Sequence, residues 1–297
     1  MNCQEIIRQA IDLHVHVGPE IIPRKFTLPE LLDYEKGKLK GVGIKNHFFP
    51  TISMSAASMA KGLPLVVNSV VLNRYVGGFN ADIVRASAAL SDKSIIVWFP
   101  TLHAQQFLQS QKFEIPDEWL ALEARGRLRL RPTRSIEPLI IFDAAGEISE
   151  EVKSVLDAIQ ENGAILATGH LAWRESYELV KFAVKRTGLK KVIITHPIYQ
   201  KINMPTRIQK ELAGLGAFME QCYSMYSIDK VPISKIAKQI RDIGADNVIL
   251  SSDVGQVFSK SPSESLIEFV SLLEKEGVRE EEIKTMLVRN PRRLVGI

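Results

Sequence analysis

Lys191-Val192-Ile193-Ile194-Thr195-His196-Pro197 is an unbroken apolar run that stops at a histidine. Asn247-Val248-Ile249-Leu250-Ser251-Ser252-Asp253 repeats the pattern and stops at an aspartate. A strand wetted on one face alternates apolar and polar residues. A parallel strand covered on both faces reads as a continuous apolar run. Similar runs occupy Ala10–Val17, Gly41–His47, Leu63–Leu72, Ser94–Pro100, Ala164–His170 and Gly216–Cys222. With Lys191–His196 and Asn247–Asp253 they make eight, mostly followed by helical signals. The alternation predicts an α/β chain folded as a (β/α)8 TIM barrel, one domain over residues 1–297. A doubly wound open sheet is the alternative.

The helix signals are local. Thr27-Leu28-Pro29-Glu30 is a capping box with proline in the first turn. Ser149 precedes a segment in which Val152, Val155, Leu156 and Ile159 share one face, and Gly163 is placed to end it. Ser261-Pro262-Ser263-Glu264 is a second capping box. The segment 104–146 breaks the alternation. It reads as a small insertion after the fourth strand, with a helix near Pro116–Arg125, a basic cluster over Arg125–Arg134 and a small hairpin. The cluster itself reads as a solvated face.

Composition narrows the function classes. The 297 residues are 45% hydrophobic and 24% charged, with 38 basic and 34 acidic residues and a net charge of +4. That balance argues for a globular domain with a small-molecule substrate, and against a nucleic-acid or membrane partner. A homo-oligomer is compatible with it. Two cysteines, Cys3 and Cys222, make no disulfide framework. The N-terminus has no leader pattern, so a cytoplasmic location is expected.

All six histidines, His14, His16, His47, His103, His170 and His196, fall at or just beyond the C-terminal end of a predicted strand. In a parallel barrel those ends form one rim, where the active sites of such barrels lie. His14 and His16 are two apart on a strand and point the same way. Two converging imidazoles suit a divalent metal, and an HxH pair alone is as readily a coincidence. His170, His196 and Asp253 taken singly read as rim residues or a helix cap. Together with the HxH pair they form a metal environment. Imidazole donors suit zinc first, with manganese, nickel or iron as alternatives. Asp253, beside a bound water, could take its proton and act catalytically. The paired histidines are expected to serve the rim rather than the packed barrel layers.

This ordered set resembles the amidohydrolase superfamily: HxH on the first strand, His170 on the fifth, His196 on the sixth and Asp253 on the eighth. The closing Asn290-Pro291-Arg292-Arg293-Leu294-Val295-Gly296 is also similar to an ending common there. The resemblance spans Ile11 to Gly296. It implies hydrolysis of an amide, ester, lactone or phosphoester by metal-activated water, with one or two ions. Decarboxylation, hydration or phosphoester cleavage are the alternatives, and a non-catalytic barrel comes last. The sequence departs from the two-metal pattern. Trp98-Phe99-Pro100-Thr101-Leu102-His103 offers neither lysine nor glutamate on the fourth strand, and Asn73-Arg74 offers no carboxylate after the third. The resemblance is to a branch marked by Lys45-Asn46-His47-Phe48-Phe49-Pro50-Thr51.

Secondary candidates lie around that set. Lys45 and His47 share a strand face and could bind substrate, or Lys45 could be carbamylated; a rim salt bridge is equally in keeping. Arg74 could hold a substrate carboxylate or phosphate, and His103 could touch substrate; a solvated loop position fits each as well. Arg24 and Lys25 lie in the loop after the first strand. Glu220 reads as a lumen partner for a cation.

Overall fold

The computed structural model describes residues 3–55, 62–120, 122, 126–127 and 129–297. Each of the eight predicted runs contains a strand, shorter than the run. They are β1 (Ile11–His16), β2 (Gly41–Lys45), β3 in two segments (Leu65–Val67 and Ser69–Val71), β4 (Ile96–Trp98), β5 (Ile165–Ala167), β6 (Val192–Ile194), β7 (Phe218–Cys222) and β8 (Val248–Ser251). All pair in parallel with their neighbours in chain order.

β3 is split because the loop after β2 intrudes on it. Thr51 donates its backbone N–H to Ser69 O at 2.9 Å, and Thr51 Oγ1 accepts from Ser69 N at 2.7 Å. The first segment pairs with β2 and the second with β4. The ring is joined beyond β8. Asp253 N donates to His14 O and His16 N donates to Val254 O, both at 2.8 Å, with a parallel bridge between Val15 and Val254. The fold is therefore the expected parallel α/β barrel.

The helices begin where local chemistry places them. Thr27 heads α1 (Leu28–Glu35), and its N–H and hydroxyl both donate to the Glu30 carboxylate. Ser149 accepts from Val152 N at the start of the helix Glu150–Glu161, which buries Val152, Val155, Leu156 and Ile159. Ser261 and Glu264 cap Pro262–Lys275 reciprocally. Gly163, with φ 58°, takes the left-handed turn after its helix.

Two apolar clusters follow from this layering. One fills the space between strands and helices. The other fills the barrel interior with Ile11, Leu13, Val67, Val71, Ile96, Trp98, Ile165, Ile193, Phe218 and Ile249. Leu294 and Val295, from the C-terminal helix Asn290–Val295, complete that inner cluster. They close the end of the barrel opposite the histidines. Asn290 fixes this floor by donating to Ala245 O at 2.8 Å and Val248 O at 2.6 Å.

The insertion differs from expectation. A 3-10 turn, Asp117–Trp119, replaces the start of the predicted helix, and residues 121 and 123–125 lie outside the described residues. The predicted hairpin is reduced to isolated bridges, Phe113–Pro132 among them. Pro132 has no N–H to extend a ladder. Of the basic cluster, Arg127, Arg129, Arg131 and Arg134 are exposed and Arg125 is not described. Among the described residues no helix is long and apolar enough to cross a membrane.

Candidate metal centre

β1 departs from regular register between Asp12 and Val15. The Asp12 carboxylate sits in that irregularity and accepts from His14 N at 3.2 Å and from Ser252 N at 3.0 Å. It thereby locks the end of β8 against the histidine pair. Gly255 makes the close approach possible. Its φ is 144°, and a Cβ there would lie 2.2 Å from His16 O. Asp253 and His196 themselves hold positive φ, 52° and 24°, which non-glycine residues adopt only when their surroundings impose it.

The result is a tight donor set. His14 Nε2 lies 3.0 Å and His16 Nε2 3.1 Å from Asp253 Oδ1. One ligand atom from each of the three residues lies within 4.8 Å of the others. Ser224 Oγ donates to Asp253 Oδ2 at 2.7 Å. On the far side of His14, Nδ1 faces both oxygens of Glu220, at 3.3 and 3.2 Å. A proton on Nδ1 satisfies Glu220 and leaves a lone pair on Nε2. That lone pair then faces a carboxylate oxygen, two acceptors 3.0 Å apart. Such a pair calls for a cation. Lys45 Nζ, 3.0 Å from His14 Nε2 and 4.1 Å from the Trp98 ring centroid, brings one cation to the edge of the set.

His196 and His170 complete the wall. The His196 ring lies 5.9 Å from His14 and 5.1 Å from His170, centroid to centroid. Their Nδ1 atoms are buried without a hydrogen-bond partner, although each ring has one nitrogen suited to a metal or to substrate. The cavity they border encloses about 30 Å³ at its base and is open on one side. Lys45, His47, Tyr199 and Trp119 also line it. Trp119, from the insertion, stacks on His47 with centroids 5.3 Å apart and planes 17° apart. His47 Nδ1 contacts Thr101 Oγ1 at 2.9 Å.

Two sequence candidates lie elsewhere. Arg74 is spent on the insertion: Nε donates to Glu137 O at 2.7 Å and Nη2 pairs with Glu137 Oε2 at 2.9 Å. It is 38% exposed and does not line the cavity. The short 3-10 turn at Arg74–Val76 carries it outward. His103 is fully buried, edge-on to Tyr75 at 4.9 Å, and also stands outside the cavity lining. Glu20, Trp119, Tyr199 and Ser224 were not singled out from sequence. Glu20, Tyr199 and Ser224 are signalled only by positions soon after strand ends, which many residues share, and Trp119, deep in the insertion, carries no such signal.

Burial dominates the electrostatics. It pushes His196 and His103 down to about 4, and holds His16, His47 and His170 well below the ordinary imidazole value. It lowers Lys45 to about 8, against the pull of Asp253 and Glu220. For Asp253 and Glu220 burial acts upward, but positive charge at His14, carried by its second proton or by a cation standing in for that proton at Nε2, outweighs it and lowers both, Asp253 strongly. A stability profile follows. Below about pH 6.5 the unfolded chain takes up protons on five histidines that the folded chain leaves neutral, so stability falls with pH to about 4. Asp12, raised by burial to about 7, offsets part of that fall because the folded chain protonates it first. The unfolding midpoint should drop steadily across that window in buffered thermal melts. A flat profile would contradict the buried, neutral assignment.

With this geometry in hand, the chain can be compared with known proteins. Comparison with curated proteins gives no match. Among solved structures, an amidohydrolase from Pseudomonas aeruginosa is similar over 100% of both chains, at 12% identity and a TM-score of 0.64. A protein assigned as a 2-pyrone-4,6-dicarboxylic acid hydrolase from Pseudomonas putida is similar over 97% of both chains, at 16% identity and a TM-score of 0.55. These likenesses show that the barrel has the amidohydrolase fold. A family model described as a family of unknown function, DUF6282, matches residues 9–220. That match takes in the first six strands and runs into β7, well over half of the sequence, and the chain belongs to the DUF6282 family.

Proposed function

We propose that this chain is a metal-dependent hydrolase acting on a small amide, ester, lactone or phosphoester. His14, His16 and Asp253 hold one divalent ion, with zinc the first candidate. The observation that carries the reading is the 3.0 Å approach of two acceptors, His14 Nε2 and Asp253 Oδ1, in a buried donor set. The donors are two imidazole nitrogens and one carboxylate, a set that fits such a cation. Bound there, the ion supplies a water of lowered pKa and polarises the scissile group.

The chain's own side chains do the rest. Asp253 stays ionised, so it can take the proton of the attacking water and pass it toward the leaving group. Ser224 steadies its second oxygen. His170 and His196 line the cavity with ring nitrogens that make no hydrogen bond and can orient the scissile group. Trp119 covers the mouth beside His47 and limits water. A single ion is favoured because the end of the fourth strand, Trp98 to His103, offers neither lysine nor glutamate to bridge a second one.

The test is elemental analysis of the purified protein, followed by chelation and titration with zinc. One equivalent per chain is the expected result. A chain that neither carries nor takes up a divalent ion would end this reading. Glu220 orients His14 from behind, and loss of such a partner usually weakens metal binding about 10–100-fold. Glu220→Gln should therefore lower zinc affinity by that factor in a competition titration. An unchanged affinity would remove Glu220 from the centre. A screen of lactones, amides, esters and phosphoesters with the zinc-loaded protein then addresses the substrate.

A further inference from the structure

Arg24 is a buried cation with one arm unused. Its side chain is 1% exposed and its partner Glu20 is 0% exposed. Nε and Nη2 both face Glu20 Oε1, and Nη2 also lies 3.2 Å from His16 Nδ1. Glu20 is fully engaged in holding it, because its other oxygen accepts from His47 N at 2.9 Å. Nη1 is buried and has no hydrogen-bond partner. Arg24 lines the same cavity as His16, Lys45, His170 and Asp253.

The backbone holds this arginine in place. Arg24 forms an antiparallel bridge with Gln256, and Lys25 N donates to Gly255 O at 2.8 Å. The loop after β1 is thus stitched to the loop after β8, two and three residues beyond Asp253. A guanidinium donor left unpaired out of water is costly, and a fold that fixes it rigidly beside a cavity has prepared a place for an anion. Guanidinium groups favour planar oxyanions, which take parallel N–H donors.

We propose that the substrate carries an oxyanion, a carboxylate or a phosphate, and that Nη1 of Arg24 anchors it beside the metal centre. Glu20 is the positioning residue that aims the guanidinium. The inference rests on the reading of this cavity as the substrate site. It assigns the anchor to Arg24, in place of the Arg74 suggested by the sequence.

Calorimetric titration of the full chain with benzoate, phenyl phosphate and the neutral benzamide tests it. Each is run on chelated and on zinc-loaded protein. Benzoate or phenyl phosphate should bind the chelated protein about tenfold or more tighter than benzamide, the scale of one charge-assisted hydrogen bond. Whichever anion gains more identifies the group. In Arg24→Gln that advantage should shrink to less than about twofold. The double variant Glu20→Gln/Arg24→Gln removes both buried charges together, and should show the same loss if the single variant does not fold. Arg24→Lys keeps the charge but loses the second arm, and should retain only part of the advantage. The proposal is overturned if neither anion outbinds benzamide, or if the advantage survives in the glutamine variants. It is overturned equally if the advantage appears only with zinc, since the ion would then hold the oxyanion. Metal content, measured separately, decides the metal reading on its own.

Discussion

Asp253→Asn should lower turnover by about 10²–10⁴-fold, the usual scale for loss of a general base, while most of the metal stays bound. Asparagine keeps one oxygen toward His14 and His16 and nearly the same volume. Its amide nitrogen meets Ser224 Oγ, which lies 2.7 Å from the aspartate oxygen and can turn to accept. The lost charge removes the proton acceptor. His14 and His16 hold the carboxylate well below its ordinary basicity, which places the fall toward the lower end of that range. Turnover and metal content are measured side by side on a substrate found by the screen. Full turnover with full metal would move the proton to another group, with Glu220 and His47 the nearest alternatives.

His16→Ala is expected to empty the centre. It removes one of three donors, so the affinity loss should exceed the 10–100-fold typical of an outer partner. The fold should survive. His16 lies at the rim, and Arg24 keeps its pairing with Glu20. Elemental analysis with a thermal melt reads both. A variant that retains one equivalent of zinc would refute the ligand assignment. His14 behaves differently from its neighbour and from the sequence expectation. It is fully buried, packs on Trp98 at 4.5 Å and is the partner of the buried Glu220. His14→Ala strands that carboxylate, a change that typically costs about 3–5 kcal/mol. Metal loss in that variant would be confounded with unfolding.

The barrel was legible because parallel strands bury both faces, and Val192-Ile193-Ile194 or Val248-Ile249-Leu250 can do little else. The split of β3 was not, since Thr51 intrudes from a loop that no periodicity describes. The convergence of His14, His16 and Asp253 could be read from strand-end positions, because a barrel gathers those ends. Arg74 misled for the same reason: it follows a strand, but a turn carries it outward to Glu137. His103 also follows a strand end, yet is packed against Tyr75. Arg24 and Trp119 stand on loops whose path depends on distant partners, Gly255 for one and His47 for the other.

Leu294 and Val295, sealing the far end of the barrel, bear on traffic through the molecule. With the interior packed solid above them, the described residues leave no passage from the site to the far end. Whatever enters beside Arg24 and Asp253 must leave by the same doorway before the next molecule can enter. Product added to the assay would occupy the site that fresh material needs, and a steady-state experiment would register this as inhibition that raises the apparent KM and leaves kcat untouched.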